Sequence, residues 1–494
     1  MKKSMGRGII LAALTVVQAG VFHAGAALAQ AADPRLPAAV AAALKSAAIP
    51  VSAIAIHVQE AGATTPRIAV NAAQPMNPAS VMKLVTTFAA LEILGPAYTW
   101  KTEARIDAPV VDGVLNGDLY LKGSGDPKLT FEQFWLLLRQ LRAQGIRDIG
   151  GDLVLDRSLF ELPEQDAVAF DDQPLRPYNV RPDALLLSFK TIRLSLSSDA
   201  LTKTVQVAAE PQPANLDIVN LVRLGNNGCG DWKEALRADV SQRGERFRLV
   251  LTGNYSASCG QKNWHLGVMP HADYALGVFT QLWTELGGKL KGSVRSSGAP
   301  VGAHLVASIE SPSLAEIVRD INKYSNNVMA RQLYLTLGVE AGKRPARPED
   351  AEAAIRAWLD TNGLSFPEMI VENGSGLSRR ERLSAESLGR LLQAAWRSPL
   401  MPEFVASLPL TAVDGTMKKR LNGNATSGHA HIKTGTLDGA KAIAGYVLDR
   451  NGRNQAVVFL INHPNAQAGQ AAQDALLEWV YAGSGNGRPR ETRR

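Results

Sequence analysis

Apolar positions follow different periods along this chain, and the changes of period divide it. Leu84, Phe88, Leu91 and Leu94 recur at the spacing of one helix face, and Gly95-Pro96 closes the run. Asn77-Pro78 and Ser80 supply start signals just before it. Upstream, Leu36 to Ala47 predicts an alanine-rich amphipathic helix, Val51 to Val58 a strand and Arg67 to Asn71 a second strand. Near the other end, Ala440 to Leu448 and Gln455 to Ile461 read as strands joined by a turn at Asp449-Arg450-Asn451-Gly452. A closing helix is predicted from about Ala466 to Tyr481. Strands at both chain ends would complete one antiparallel sheet with helices packed on its faces.

Between about 100 and 300 the texture changes to strands and turns. Gly151 to Asp156, Thr191 to Leu196, Thr204 to Val207 and Arg246 to Leu251 are strand-like, and Gly123-Ser124-Gly125-Asp126-Pro127 punctuates them. Helical spacing returns after about Ser313. The expected fold is therefore α/β (α+β) with a large β-rich insertion. Its sheet-and-helix domain is discontinuous over 30–100 and 300–485, the insertion covers 101–299, and a flexible basic tail spans 486–494.

The N-terminus changes the picture of compartment. Lys2, Lys3 and Arg7 precede an apolar run from Ile9 to Phe22, and Ala27-Leu28-Ala29 has the small residues of a cleavage site. Residues 1–29 are read as a signal peptide cut between Ala29 and Gln30, which implies export to the periplasm. The apolar run is shorter than the roughly 20 residues a spanning helix needs. Removing it takes away three basic and no acidic residues, leaving 50 basic against 46 acidic, so the net charge falls from +7 to +4. That balance carries no nucleic-acid signature. The tail Arg488 to Arg494 is expected to fray, with adhesion to membrane or wall as the alternative. Cys229 and Cys259 are the two cysteines. In an exported chain an even pair suggests a disulfide, and two buried thiols are the alternative. Neither a Cys-x-x-Cys nor a His-Glu-x-x-His pattern is present, so no metal or cofactor is expected.

Three short motifs carry candidate chemistry. Ser80-Val81-Met82-Lys83 places a hydroxyl and an amine one turn apart, at the positive end of a helix. Ser325-Asn326-Asn327 follows 245 residues after Ser80, and Lys433-Thr434-Gly435-Thr436 another 108 after Ser325. Ser-x-x-Lys, Ser-x-Asn and Lys-Thr-Gly in this order are the signature set of penicillin-binding proteins and class A β-lactamases. The chain resembles the class C, low-molecular-mass penicillin-binding proteins, the D-alanyl-D-alanine carboxypeptidases and endopeptidases of peptidase family S13. Gly150-Gly151-Asp152-Leu153, Phe170-Asp171-Asp172, Gly374 to Arg379 and Val413-Asp414-Gly415-Thr416 support the resemblance, as does the long insertion. Asn326 stands where that family often has Asp, and Glu372-Asn373 precedes Gly374 where Asp is common.

The resemblance implies a role for each motif residue. Ser80 attacks a D-Ala carbonyl to form an acyl-enzyme, and Lys83 takes its proton. Ser325 relays a proton to the leaving amine, and Asn327 offers an amide to the substrate backbone. Lys433, Thr434 and Thr436 hold the terminal carboxylate, and Gly435 leaves the strand edge open to an added strand. The Ser80 and Thr436 N–H groups form the oxyanion hole. Asp171 and Asp172 are candidates to bind the charged side chain of a cross-linked stem peptide; the competing reading is that they cap a turn before Pro174. Peptidoglycan stem peptides and β-lactams are the implied ligands, and no oligomeric state follows. A serine β-lactamase and an inactive wall-binding homologue are the competing functions. No Gly-x-Ser-x-Gly elbow is present, His429 and His431 read as residues flanking Lys433, and Gly374-Ser375-Gly376 reads as a tight structural turn.

Overall fold

The computed structural model describes residues 35–163, 170–199, 201–226 and 228–483. The expected signal peptide with its cut after Ala29, and the basic tail at 486–494, lie outside the described residues.

Strands from both chain ends do form one five-stranded antiparallel sheet. Its order is Ala430–Leu437, Ala440–Leu448, Asn454–Asn462, Ile54–Glu60, Ile68–Val70. Both faces are covered, which is why Asn454–Asn462 reads as a nearly unbroken apolar run. Ala456, Val458 and Leu460 face one core, whereas Val457, Phe459 and Ile461 face the other. The second face is closed by Ala38–Ser46 and Gln470–Tyr481, the first and last helices of the described chain. The first face packs on the helix Lys83–Leu94, buried from Lys83 through Leu91 and thus apolar all round. Leu314–Tyr324, Asn327–Glu340, Pro348–Thr361 and Ala385–Arg397 surround it.

The chain leaves this body on the strand Lys101–Ile106 and returns on His304–Glu310. The two pair antiparallel, Lys101 opposite Glu310 and Ile106 opposite His304, so exit and return lie side by side. The return strand runs past the boundary expected at 299. Between them lie several small sheets, including the mixed sheet of Val294–Ser296, Leu153–Asp156, Leu119–Lys122, Lys101–Ile106 and His304–Glu310. The strands read from sequence are present as Leu153–Asp156, Ile192–Asp199, Thr204–Glu210 and Arg246–Ser256. Two helices are present that the strand-and-turn reading did not include, Phe131–Ala143 and His271–Glu285. The first has a capping box at Thr130 and Gln133 and buries Phe134, Leu137, Leu138 and Leu141. Both contribute to a second apolar core. Cys229 and Cys259 are joined by a disulfide.

Gln332 joins the two regions. It is fully buried on the helix Asn327–Glu340. Its Oε1 accepts the Asp183 N–H at 2.9 Å, and its amide donates to the Asp183 carbonyl at 2.8 Å and the Gly125 carbonyl at 3.2 Å. Lys128 and Asp320 add an ion pair at 2.6 Å. The helix that begins at Asn327 is thus tied to the inserted segment at Gln332, and the preceding helix at Asp320.

Candidate active site

The turn that carries Ser80 is clamped before it is shaped. Asn77 and Asn462 exchange backbone-to-side-chain hydrogen bonds at 2.7 and 3.0 Å, which pins the turn to the end of a central strand. Asn77 Oδ1 then accepts the Ala79 N–H at 2.9 Å. Ala79 sits at φ 45°, a left-handed conformation that costs about 1–3 kcal/mol at a non-glycine residue. Ser80 follows in the short 3₁₀ turn Ala79–Met82, and the α-helix starts at Lys83. The expected one-turn spacing holds, across a junction of two helix types. Lys83 Nζ lies 3.1 Å from Ser80 Oγ.

Lys83 has no exposed surface. Its amine also donates to Asn327 Oδ1 at 2.5 Å and to the Ser375 carbonyl. Burial pushes its pKa well below the usual lysine value, and the Lys433 charge pushes in the same direction.

Ser325 and Asn327 reach the site through a break between helices. Leu314–Tyr324 ends at Ser325, which is left-handed at φ 55° and ψ 37°. Asn326 then caps the next helix by accepting the Met329 N–H at 3.1 Å. Asp caps as well as Asn, so the departure at 326 leaves the geometry intact. The break turns Ser325 Oγ towards Lys433 Nζ, 2.8 Å away, while Asn327 turns to Lys83. Lys433 is also fully buried, and burial brings its pKa down to about 7.

The third motif lies on the edge strand Ala430–Leu437. Its first residues are covered: Thr411 N–H donates to the Ala430 carbonyl at 3.0 Å and Ile432 N–H to the Pro409 carbonyl at 2.7 Å. Among the described residues no strand pairs its outer edge beyond Lys433. A Cβ on Gly435 would stand 2.9 Å from the Pro78 carbonyl oxygen, 2.9 Å from Ser80 N and 3.0 Å from Ala79 Cβ. Glycine here admits the Ser80 turn against the strand, a tertiary reason for a residue expected to serve the edge. Thr434 Oγ1 meets Thr416 Oγ1 at 2.8 Å, which adds a hydroxyl the motif search did not single out.

Asp171 is committed to its own loop. Its carboxylate accepts from Tyr178 OH at 2.7 Å, Asn179 Nδ2 at 2.7 Å and the Gln173 N–H at 3.2 Å. Asp172 is exposed and left-handed at φ 56°. Their neighbours Phe170 and Tyr178 pack against Ala79 and Leu437, so this loop stands beside the Ser80 turn. Arg379 stacks over Phe170 at 5.2 Å. Gly374-Ser375-Gly376 is a tight turn under the site: Ser375 is buried and hydrogen-bonded to Asn373, and a Gly376 Cβ would stand 2.7 Å from Ser80 Cα. His429 contacts the Ser427 carbonyl and Tyr481, and His431 lies on the edge strand opposite Tyr446. The sequence offered Thr416 only within a supporting segment and Ser375 only as a turn residue, and it did not offer the buried Glu381 behind the turn. Among the described residues no cluster of ligands suits a metal.

The family profile of the D-Ala-D-Ala carboxypeptidase 3 (S13) family matches residues 36–482. The chain belongs to this family. Its S13 relatives include the D-alanyl-D-alanine carboxypeptidase of Actinomadura sp. (strain R39), 31% identical over 426 residues, covering 82% of this chain and 77% of that protein. D-alanyl-D-alanine carboxypeptidase DacB of Haemophilus influenzae is 25% identical, covering 78% of this chain and 80% of that protein. The crystal structure of penicillin binding protein 4 (dacB) from Haemophilus influenzae superimposes with a TM-score of 0.75 at 23% identity, covering 90% of this chain and 99% of that one. The S13 fold, a penicillin-binding sheet and helices with a large insertion, is thus the fold of this chain, and the chain is a serine-type peptidase.

Proposed function

We propose that this enzyme is a D-alanyl-D-alanine carboxypeptidase and DD-endopeptidase of peptidoglycan stem peptides, working through an acyl-enzyme on Ser80 that penicillins also form. The observation that carries the reading is the surroundings of Lys83. Two of its three partners, Asn327 Oδ1 and the Ser375 carbonyl, are pure acceptors. A neutral amine satisfies them with its two N–H groups and keeps its lone pair for the third partner, the Ser80 hydroxyl. Burial favours that neutral form.

The steps follow. Ser80 Oγ attacks the D-Ala carbonyl carbon and its proton passes to Lys83. The Ser80 and Thr436 N–H groups receive the oxyanion; one such donor is worth roughly 2.7–4 kcal/mol. The C–N bond breaks as Ser325, held by Lys433, hands a proton to the leaving amine and takes up in its place the proton that Lys83 received, so that Ser325 and Lys83 both return to their starting state. Water then cleaves the ester, which frees the shortened peptide and restores Ser80. Lys433, Thr434 and Thr416 suit the terminal carboxylate, and the uncovered edge beyond Lys433 suits an added substrate strand. The basic residues Lys2, Lys3 and Arg7 ahead of the apolar run Ile9 to Phe22 support a periplasmic site of action.

The test is product analysis on purified cross-linked muropeptides. Wild type should release D-Ala and cut the cross-link, and Ser80→Ala should do neither. Asp172→Asn should weaken cleavage of cross-links while penicillin acylation is kept, because its carboxylate is exposed beside the Ser80 turn. Asp171→Asn should disturb the loop held by Tyr178 and Asn179. Equal activity of the Asp172 variant on both substrate types removes it from the specificity surface.

A further inference from the structure

The steps above leave one buried ionisable group beside the site without a part. Glu381 is fully buried. Its Oε1 accepts three successive backbone N–H groups, from Glu372 at 3.2 Å, Asn373 at 3.0 Å and Gly374 at 3.1 Å. Convergent backbone N–H groups of this kind commonly cradle a bound anion. Here the cradle holds the chain's own Glu381 carboxyl: burial raises its pKa, while the three N–H groups and the Lys83 charge draw it back towards the ionised form. Gly374, at φ 67°, supplies the left-handed residue of the cradle. The carbonyl side of the same loop rests on the helix Lys83–Leu94. Gly374 O accepts from Thr86 Oγ1 at 2.7 Å, and Ser375 O accepts from Lys83 Nζ. One face of the loop is therefore gripped by Glu381 and the other meets the catalytic amine. Glu381 Oε2 has no hydrogen-bond partner among the described residues.

We infer that Glu381 is a positioning residue for Lys83: it fixes the 372–375 loop so that the Ser375 carbonyl meets the amine, and it is the buried anion that offsets the cations around that amine. This rests on the reading of Lys83 as the base. Lys433 faces Lys83 from the edge strand and Arg331 from the helix Asn327–Glu340, and both cations lower its pKa along with burial. Glu381 acts in the opposite sense, while Ser80 and Asn327 are neutral partners. Around Glu381 itself stand Lys83, Arg331 and Tyr334, with Glu372 also facing Arg331. Acylation quickens as pH rises through the Lys83 pKa, because the neutral amine takes the proton. Removing the Glu381 charge lowers that pKa, so the acidic limb of the profile moves to lower pH.

The experiment measures acylation of the purified full chain by a fluorescent penicillin across about pH 5–9. Glu381→Gln keeps the oxygen for the cradle and loses the charge. Its acidic limb should move down by about one pH unit, with a thermal midpoint near wild type. Glu381→Ala also loses the cradle, and its plateau rate should fall at least about tenfold. A Gln profile that superimposes on wild type overturns the inference, as does an Ala variant that folds and acylates at the wild-type rate. If the Ala variant does not fold, the Gln profile decides alone. A wild-type chain that takes no penicillin on Ser80 overturns the proposed function instead, and this inference with it.

Discussion

At the residue scale, the proposed function sets two lysines with similar burial to different tasks. Lys83 meets two acceptors and a hydroxyl, whereas Lys433 meets the Ser325 hydroxyl and the Thr434 carbonyl, 2.6 Å away. With its pKa brought to about 7 by burial, free Lys433 is cationic below that pH and mostly neutral above it. Capture of a substrate carboxylate then requires proton uptake above about pH 7, so affinity falls as pH rises. KM for peptides ending in D-Ala should therefore climb between about pH 7 and pH 9, and Lys433→Ala should show a high KM without that climb. Steady-state kinetics across the range checks this, and a flat wild-type KM contradicts it. Ser80, Lys83, Ser325, Asn327 and Lys433 were legible in sequence because their chemistry fixes short spacings. Glu381 and the Ser375 carbonyl were not, because they act through backbone contacts made by the fold.

At the element scale, the edge strand and the Ser80 turn meet with no room for a side chain at Gly435. Gly435→Ala would put a methyl against the Pro78 carbonyl and Ser80 N, both backbone atoms. The turn must retreat, and a misplacement of this kind costs about 10²-fold in rate. Stopped-flow acylation of Gly435→Ala should show that loss with little change in secondary structure by circular dichroism; a wild-type rate would contradict the packing argument. Four of the five strands were readable, because buried strands between turn signals leave a strong pattern; the edge strand Ala430–Leu437 was not among those read from its pattern. Within those four, Val51 was the exception, since Val51–Ala53 forms a 3₁₀ turn before the strand begins at Ile54. Phe131–Ala143 was legible in principle, with Phe134, Leu137, Leu138 and Leu141 at helical spacing, but it is embedded among strands. The positive φ of Ala79 and Ser325 left no sequence signal, since neither is a glycine; Ala79 is held by Asn77, itself tied to the distant Asn462, and Ser325 meets the distant Lys433.

At the scale of the whole molecule, the inserted body, for which we propose the limits 101–310, stands on a two-strand neck and is tied to the catalytic helices by Gln332. Its position beside the Ser80 turn depends on contacts such as Phe170 and Tyr178 against Ala79 and Leu437, which no local pattern announces. The Cys229–Cys259 bond lies within that body and closes a loop of 30 residues. In the chain-entropy model such a loop stabilises by roughly 3–4 kcal/mol. Replacing both cysteines by serine should lower the thermal midpoint, while the acylation rate at Ser80 at room temperature stays near wild type. A large loss of acylation in the folded variant would contradict a purely stabilising role.

The account stands most directly on one covalent bond. The purified chain should be incubated with penicillin, digested and mapped by peptide mass spectrometry. A long-lived penicilloyl ester on the peptide containing Ser80, absent from Ser80→Ala and nearly absent from Lys83→Ala, is the predicted result. An adduct on any other residue, rapid turnover of the drug without a stable ester, or no adduct at all would contradict it.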